Sequence, residues 1–254
     1  MVKVKNNILN AYVKEEYRDV VDKFFSIGKN RPWLFLPFKG IKDEIAEEFL
    51  KFRLKLFSTS KRTLVLENLD SEVVVKIIFP HNLKHKILNF LINRELKIYR
   101  VSEYLRQKGI KIAEVLGYGK ILRNPFYIIP KMKGSSFLEV LREDEKDIFH
   151  LFYKIVDEVI KIHQERYFLG DSNIKHFFFI GEEIEGIVDF DCIKKVYWFK
   201  KNRFCRDLGY LLRPELKIEE KLIDEIISYY AKKMKFDSLK ILKKVKVYRE
   251  KRWT

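Results

Sequence analysis

Asp171, His176, Asp189 and Asp191 are the residues whose types and spacing could do chemistry. They bracket one short stretch. Gly170-Asp171-Ser172-Asn173-Ile174-Lys175-His176 stands at its start, and Asp189-Phe190-Asp191 follows 18 residues after the first aspartate. Between them, Phe177-Phe178-Phe179-Ile180 reads as a strand, Gly181-Glu182-Glu183 as a turn, and Ile184 to Val188 as a second strand ending on Asp189. A hairpin of this kind brings its two ends together, so Asp171, His176 and Asp189 are expected to converge on one pocket. Two carboxylates and an imidazole held that way can orient a hydroxyl and bind magnesium beside transferring phosphates. An aspartate ahead of a hairpin also serves as a plain turn residue. Taken alone, the stretch leaves both readings open.

The elements that would position these residues fall into two groups. Upstream, Phe52 to Phe57 alternates, Arg62 to Leu66 is extended, and Val73 to Phe79 is apolar and β-branched apart from Lys76, which predicts three antiparallel strands. A lysine inside so apolar a strand either carries its stem to an edge or points its charge at an anion. Beyond Pro80 comes a basic segment with His81, Lys84, His85 and Lys86, then a long helix from about Leu88 to Lys108 capped by Gly109. Further strands are expected at Glu114–Ile121 and Phe126–Pro130, and Lys131 to Ser136 reads as a linker. Ahead of these strands, Tyr12 to Phe25 reads as an amphipathic helix, Arg31 to Lys39 as a loop and Ile41 to Leu50 as a short helix.

Downstream the period becomes helical. Ile148 to Glu165 carries Phe149, Phe152, Ile155, Val159 and Ile162 on one stripe and leads into the hairpin. Helices are expected to begin near Arg206 and to run from about Ile218 to Lys233, with a break at Pro214. The expected fold class is therefore α+β and bilobal: a small antiparallel-sheet first lobe with one long helix, and a mainly helical second lobe. The expected boundaries are an N-terminal extension at 1–50 packing on the first lobe, that lobe at 51–131, and the second lobe with its basic tail at 132–254.

Composition sets the partners. In 254 residues, 52 Lys and Arg against 36 Asp and Glu give a formal charge of +16, which favours nucleic acid, acidic membrane or phosphorylated substrates without choosing among them. Half of that charge lies in Lys232 to Thr254, where ten Lys and Arg face only Asp237 and Glu250. Cys192 and Cys205 make neither a disulfide framework nor a zinc cluster, so a reducing compartment is the expected address. The N-terminus lacks the apolar run of a signal peptide, and no stretch approaches the length of a spanning helix. A nucleic-acid-binding module without catalysis would rest on charge alone, since no zinc finger or RNP-like strand pair accompanies it.

The ordered set Lys76, Glu95, Asp171, Asp189 and Asp207 resembles the protein-kinase-like superfamily. Within it, the chain resembles the lipopolysaccharide core kinases, which phosphorylate Kdo or heptose of the inner core. Asp189-Phe190-Asp191 stands where most kinases have Asp-Phe-Gly, and His176 stands five residues after Asp171 where most have asparagine. The turn Ser60-Lys61-Arg62-Thr63 resembles the basic, glycine-poor nucleotide loop of that group. The likeness spans roughly residues 52 to 213. Leu169 departs from the usual histidine two places before the catalytic aspartate, so support for the loop is expected from elsewhere.

The resemblance implies an ATP-dependent phosphotransferase with an alcohol group as acceptor, using ATP and Mg2+ or Mn2+; the acceptor is an inner-core sugar or, as the alternative, another small molecule or a protein. Asp171 would act on the acceptor hydroxyl, and Lys76 would hold phosphates with Glu95 as its partner and Glu103 as rival. Lys61, Arg62, Lys131 and Met132 would meet the nucleotide. Asp189, His176 and Asp191 would form the metal site, with His176 either a ligand or the group that orients Asp171 or Asp189, and Asp191 either a third acidic contact or a brace for the loop. Asp207 would brace the loop. Lys194, Lys195 and Arg203 would receive an anionic glycolipid or sugar. Tyr197 and Trp198 would stack on sugar or lie against lipid. The implied location is cytoplasmic, at the inner face of the membrane, with the basic tail as an electrostatic anchor.

Overall fold

The computed structural model describes residues 1–37, 41–80, 82, 93–143, 149–198, 200–216 and 218–251. His81, Lys84, His85, Lys86 and the expected helix start at Leu88 lie outside the described residues. The chain forms two compact units. The first holds Met1–Glu103 and Ala113–Lys131, the second Tyr104–Ile112 and Met132–Thr254.

The first unit is built on one antiparallel sheet of seven strands: β1 (Val2–Lys5), β2 (Leu9–Val13), β3 (Leu54–Thr59), β4 (Thr63–Asn68), β5 (Val73–Ile78), β6 (Gly117–Ile121) and β7 (Asn124–Pro130), ordered β1-β2-β6-β7-β5-β4-β3. Strand alternation divides its residues between two faces. Leu9, Ala11, Val13, Leu54, Leu64, Leu66, Val73, Val75, Ile77, Phe126 and Ile128 bury one face in a core with Val20, Val21, Phe24 and Ile27 of helix α1 (Arg18–Asn30). Leu34 and Phe35 of a 3-10 turn, and Phe49 of helix α2 (Asp43–Leu50), complete that core. The other face carries one cross-strand row, Lys3, Tyr12, Tyr118, Tyr127, Lys76 and Val65, each in register with the next. Helix α3 (Arg94–Gln107) contributes Tyr99, which stacks on Tyr118 at 4.8 Å, and Tyr118 stacks on Tyr12 at 5.4 Å.

One expectation is corrected here. The helix expected over Tyr12–Phe25 starts only at Arg18, because Leu9, Ala11 and Val13 follow a period of two and pair with β6. Residues before Arg18 thus add strands to the sheet as well as packing on it.

The second unit pairs short strands with helices. Strand β8 (Ser135–Ser136), β10 (Phe177–Ile180) and β11 (Glu183–Ile187) form one antiparallel sheet, while β9 (Tyr167–Phe168) pairs with β12 (Lys194–Lys195). The helices are α4 (Phe137–Glu143), α5 (Phe149–Gln164), α6 (Lys200–Leu211), α7 (Glu220–Lys233) and α8 (Ser238–Glu250). Phe152, Ile155, Val156, Val159 and Ile162 bury the apolar stripe of α5. Helix α6 begins six residues before the expected start near Arg206, so Arg203 lies inside it. Among the described residues, no helix is long and apolar enough to cross a membrane.

Candidate active site

The hairpin behaves as its pattern predicts. Phe177 pairs with Ile187, so one step further His176 lies opposite Val188, whose N–H donates to the His176 carbonyl at 2.9 Å. That register sets the His176 ring beside the next residue: Nε2 is 3.4 Å from Asp189 Oδ2. His176 is buried, whereas the Asp189 side chain is one-third exposed (33%), so the imidazole stands behind the carboxylate. Asp189 has φ 60°, a left-handed conformation that is uncommon outside glycine but that aspartate adopts more readily than most residues.

Asp171 opens the same stretch. Gly170 before it has φ +82°, and a Cβ there would come within 2.9 Å of the Cys192 carbonyl oxygen, so glycine is required. Asn173 caps the following 3-10 turn by accepting from the Lys175 N–H at 3.2 Å. The Asp171 side chain is 44% exposed and lies 3.9 Å from Arg213 Nη2.

The support that Leu169 does not supply comes from behind the loop. Asp207, fully buried on α6, accepts the N–H groups of Leu169 and Gly170 at 2.5 and 3.1 Å. Ser172 donates its hydroxyl to the Asp207 carbonyl at 2.6 Å. A second residue, absent from the sequence reading, completes the brace. His163 of α5 places Nε2 3.2 Å from Asp207 Oδ2 and Nδ1 2.7 Å from the Tyr230 hydroxyl, with its ring stacked on Phe204 at 4.1 Å. Burial pushes the His163 pKa down, opposed by Asp207. A neutral ring with its proton on Nε2 donates to Asp207 and accepts from Tyr230, whose phenol burial pushes well up. The signal was a lone histidine on the apolar face of α5, eight residues before Asp171.

In the first unit, Lys76 is half-buried in the tyrosine row. Glu95 sits on α3 and is 8% exposed, with Oε1 3.6 Å from Lys120 Nζ, which also donates to Asn93 Oδ1 at 3.3 Å. The cation beside Glu95 is Lys120 of β6. Glu95 Oε2 is buried without a hydrogen bond, and burial pushes the carboxyl above the ordinary glutamate range against the pull of Lys120.

Lys61 and Arg62 are exposed on the β3–β4 turn. Ser60 builds that turn by accepting from the Arg62 and Thr63 N–H groups at 3.1 and 3.0 Å, a side-chain lock on the turn backbone. Lys131 gives its ammonium to Glu67 at 2.6 Å. Met132 begins the second unit, and the next two N–H groups, of Lys133 and Gly134, donate to Glu185 at 2.9–3.0 Å. Lys194 and Lys195 are exposed on β12, and Arg203 lies over Phe168 at 5.4 Å.

Among the described residues, no three His, Cys, Asp or Glu side chains cluster as a preformed metal cage. Such a cage is not what magnesium requires. It keeps several waters and binds through one or two carboxylates plus substrate phosphates. Asp189, one-third exposed and backed by His176, is a donor of that kind, so the residues present fit a hard divalent cation.

No family model and no curated protein matches the chain. Solved structures do. The aminoglycoside phosphotransferase APH(3'')-Id from Streptomyces rimosus, solved with ADP and streptomycin, aligns at 9% identity over 83% of this chain and 100% of that one, with a TM-score of 0.53. WbdD bound to a kinase inhibitor aligns at 11% identity over 78% of this chain and 46% of that one, with a TM-score of 0.50. A second WbdD structure, a bifunctional kinase-methyltransferase, aligns at 13% identity over 74% and 48%, with a TM-score of 0.46. The chain thus spans about half the length of the WbdD chains. At these identities the likeness is one of fold: the chain has the bilobal protein-kinase-like fold.

Proposed function

We propose that the protein is an ATP-dependent phosphotransferase that moves the γ-phosphoryl group of ATP to a sugar hydroxyl, with Kdo or heptose of the lipopolysaccharide inner core as acceptor. The observation that carries this reading is the braced hairpin. Asp207 fixes the Leu169–Gly170 backbone that delivers Asp171, and His176 backs the Asp189 carboxylate at the other end. Phosphoryl transfer asks for positioned charge more than covalent chemistry.

In this reading Asp171 aligns the acceptor hydroxyl and takes its proton as the bond to phosphorus forms. Asp189, with Asp191 beside it in sequence, would hold Mg2+ or Mn2+, and His176 orients Asp189. A bound divalent ion neutralises charge on the phosphates during transfer. Lys76 orients the non-transferred phosphates, with Glu95 or Glu103 as its partner. Lys61 and Arg62 add side-chain charge on a turn that lacks glycines, and Lys131 and Met132 would flank the base.

A small acceptor fits the eight residues between Asp191 and α6, too few for a long peptide-binding segment. The streptomycin and ADP bound to the phosphotransferase of like fold support the same class. Lys194, Lys195 and Arg203 would face an anionic acceptor, at the inner surface of a membrane that the basic α8 would contact. A second reading keeps the chemistry and changes the acceptor to another small molecule.

The test is transfer of label from γ-labelled ATP. Label on dephosphorylated inner-core lipopolysaccharide, dependent on Mg2+ and absent with Asp171→Asn, supports the reading. Label only on a soluble metabolite supports the second reading, and none on either acceptor removes both.

A further inference from the structure

We propose that α6 carries an anion-binding subsite for the acceptor, formed by Arg206 and Arg213. Its ligand would be a carboxylate or phosphate carried on the same sugar as the hydroxyl that Asp171 aligns. The proposal rests on the phosphotransferase reading for the identity of the ligand, and on the second unit alone for its geometry.

Arg203, Arg206, Tyr210 and Arg213 are spaced by three, four and three residues, which puts them on one helical face. Leu212 N–H still donates to the Leu208 carbonyl at 3.1 Å, so the helical turn runs to Leu212 and Arg213 follows directly on it. The guanidinium groups alternate with rings along that face. Arg203 and Arg206 each lie 5.4 Å from the centroid of Phe168, Arg206 lies 5.7 Å from Tyr210, and Arg213 lies 5.8 Å from Tyr210. The row ends at Asp171, 3.9 Å from Arg213 Nη2. Phe168 is itself tied to the loop, three residues before Asp171 and in register with Lys194 of β12. The stripe and the candidate catalytic carboxylate therefore share one framework.

Three guanidinium groups in file repel one another unless negative charge lies close. Among the described residues, neither Arg203 nor Arg206 is paired with a carboxylate, and Arg206 Nε is buried without a hydrogen bond. Asp207, the acid next to Arg206 in sequence, is turned inward and taken up by Leu169, Gly170 and His163. A guanidinium held near aromatic rings is fixed in place while its terminal Nη donors remain able to bind a two-oxygen anion. Arg213, 3.9 Å from Asp171, would offset the repulsion between such an anion and that carboxylate. Lys194 and Lys195, exposed on β12, add attraction at longer range.

The test is calorimetric binding of glucuronate, glucose 6-phosphate and glucose to the full chain, with a non-hydrolysable ATP analogue and Mg2+ titrated separately. We expect one or both anionic sugars to bind at least about tenfold tighter than glucose, and Arg206→Gln or Arg213→Gln to remove that advantage. The better of the two anions identifies carboxylate or phosphate as the natural group. Lys243→Gln, on α8, serves as the charge control and should change nothing. Should Arg206→Gln fail to fold, Arg206→Lys keeps the charge and loses the paired donors, with an expected weakening of roughly fivefold. Glucose binding as tightly as the anions, unchanged affinity in the glutamine variants, or no sugar binding at all overturns the subsite. Loss of nucleotide binding with Arg206-dependent anion binding intact would instead remove the phosphotransferase reading and leave the subsite standing.

Discussion

Asp207 Oδ2 lies 2.5 Å from the Leu169 nitrogen, so a carboxylate on α6 holds the backbone that leads into Asp171. Its other oxygen takes the Gly170 N–H, and no water is needed to satisfy either donor. Removing it leaves two N–H groups and a histidine without an acceptor. Asp207→Ala is expected to cost about 3–5 kcal/mol. Asp207→Asn, which keeps the volume and one acceptor, should cost less, about 2 kcal/mol. Urea denaturation checks both, and a cost under about 1 kcal/mol for the alanine would contradict the brace.

His163 gives the brace a pH dependence. Burial lowers its pKa from an ordinary value of 6.5, so the unfolded chain binds the proton more readily than the folded one. Its contribution to stability is then complete above pH 6.5 and is lost as pH falls below that value toward the lowered pKa, at up to about 1.4 kcal/mol per pH unit. His163→Gln should flatten this part of the stability profile between pH 6.5 and 5. An identical profile in wild type and variant would count against a neutral buried His163.

Glu95 has the opposite sign. Its carboxyl is raised above 4.5 by burial, so stability falls as pH rises through the shifted value. Glu95→Gln should therefore raise Tm at pH 7, by roughly 2–4 °C if the relief is about 1 kcal/mol, and give no gain at pH 4. Lys120→Met should lower Tm at pH 7 because it removes the cation that offsets the burial. On the phosphotransferase reading the glutamine variant gains stability and loses turnover, a trade common at functional sites.

Gly134, in the second unit, leaves no room for a side chain. A Cβ there would lie 1.8 Å from the Phe179 carbonyl oxygen on β10, and the Gly134 N–H already donates to Glu185 on β11. Gly134→Ala should cost about 2–4 kcal/mol by forcing the strands apart. Hydrogen exchange should show the β10–β11 amides opening first, and unchanged protection there would refute the contact.

Local patterns carried much of this structure in the sequence. Phe177 to Asp189 was legible because an apolar run, a glycine turn and a second run fix a register, and the register alone sets His176 beside Asp189. Lys76 was legible as the one charge in a β-branched strand. The first strands were not, because β1 and β2 hold only Val2–Lys5 and Leu9–Val13 and merge with the helical pattern that begins at Arg18. The Glu95–Lys120 pair and the His163–Tyr230 bond join residues far apart in the chain, and no spacing rule reaches them. The arginine row was written in the sequence as a helical repeat, but its meaning depends on Phe168, which another element supplies.

The central claim is that Asp171 is the catalytic carboxylate of an ATP-dependent phosphotransferase. Its most direct test compares wild type with Asp171→Asn for magnesium-dependent ATP affinity and for the rate of γ-phosphoryl transfer to the acceptor. The account predicts ATP affinity within about twofold of wild type and transfer reduced by about 10²-fold or more in the variant. Equal transfer rates in the two proteins, or no magnesium-dependent ATP binding by either, would contradict it.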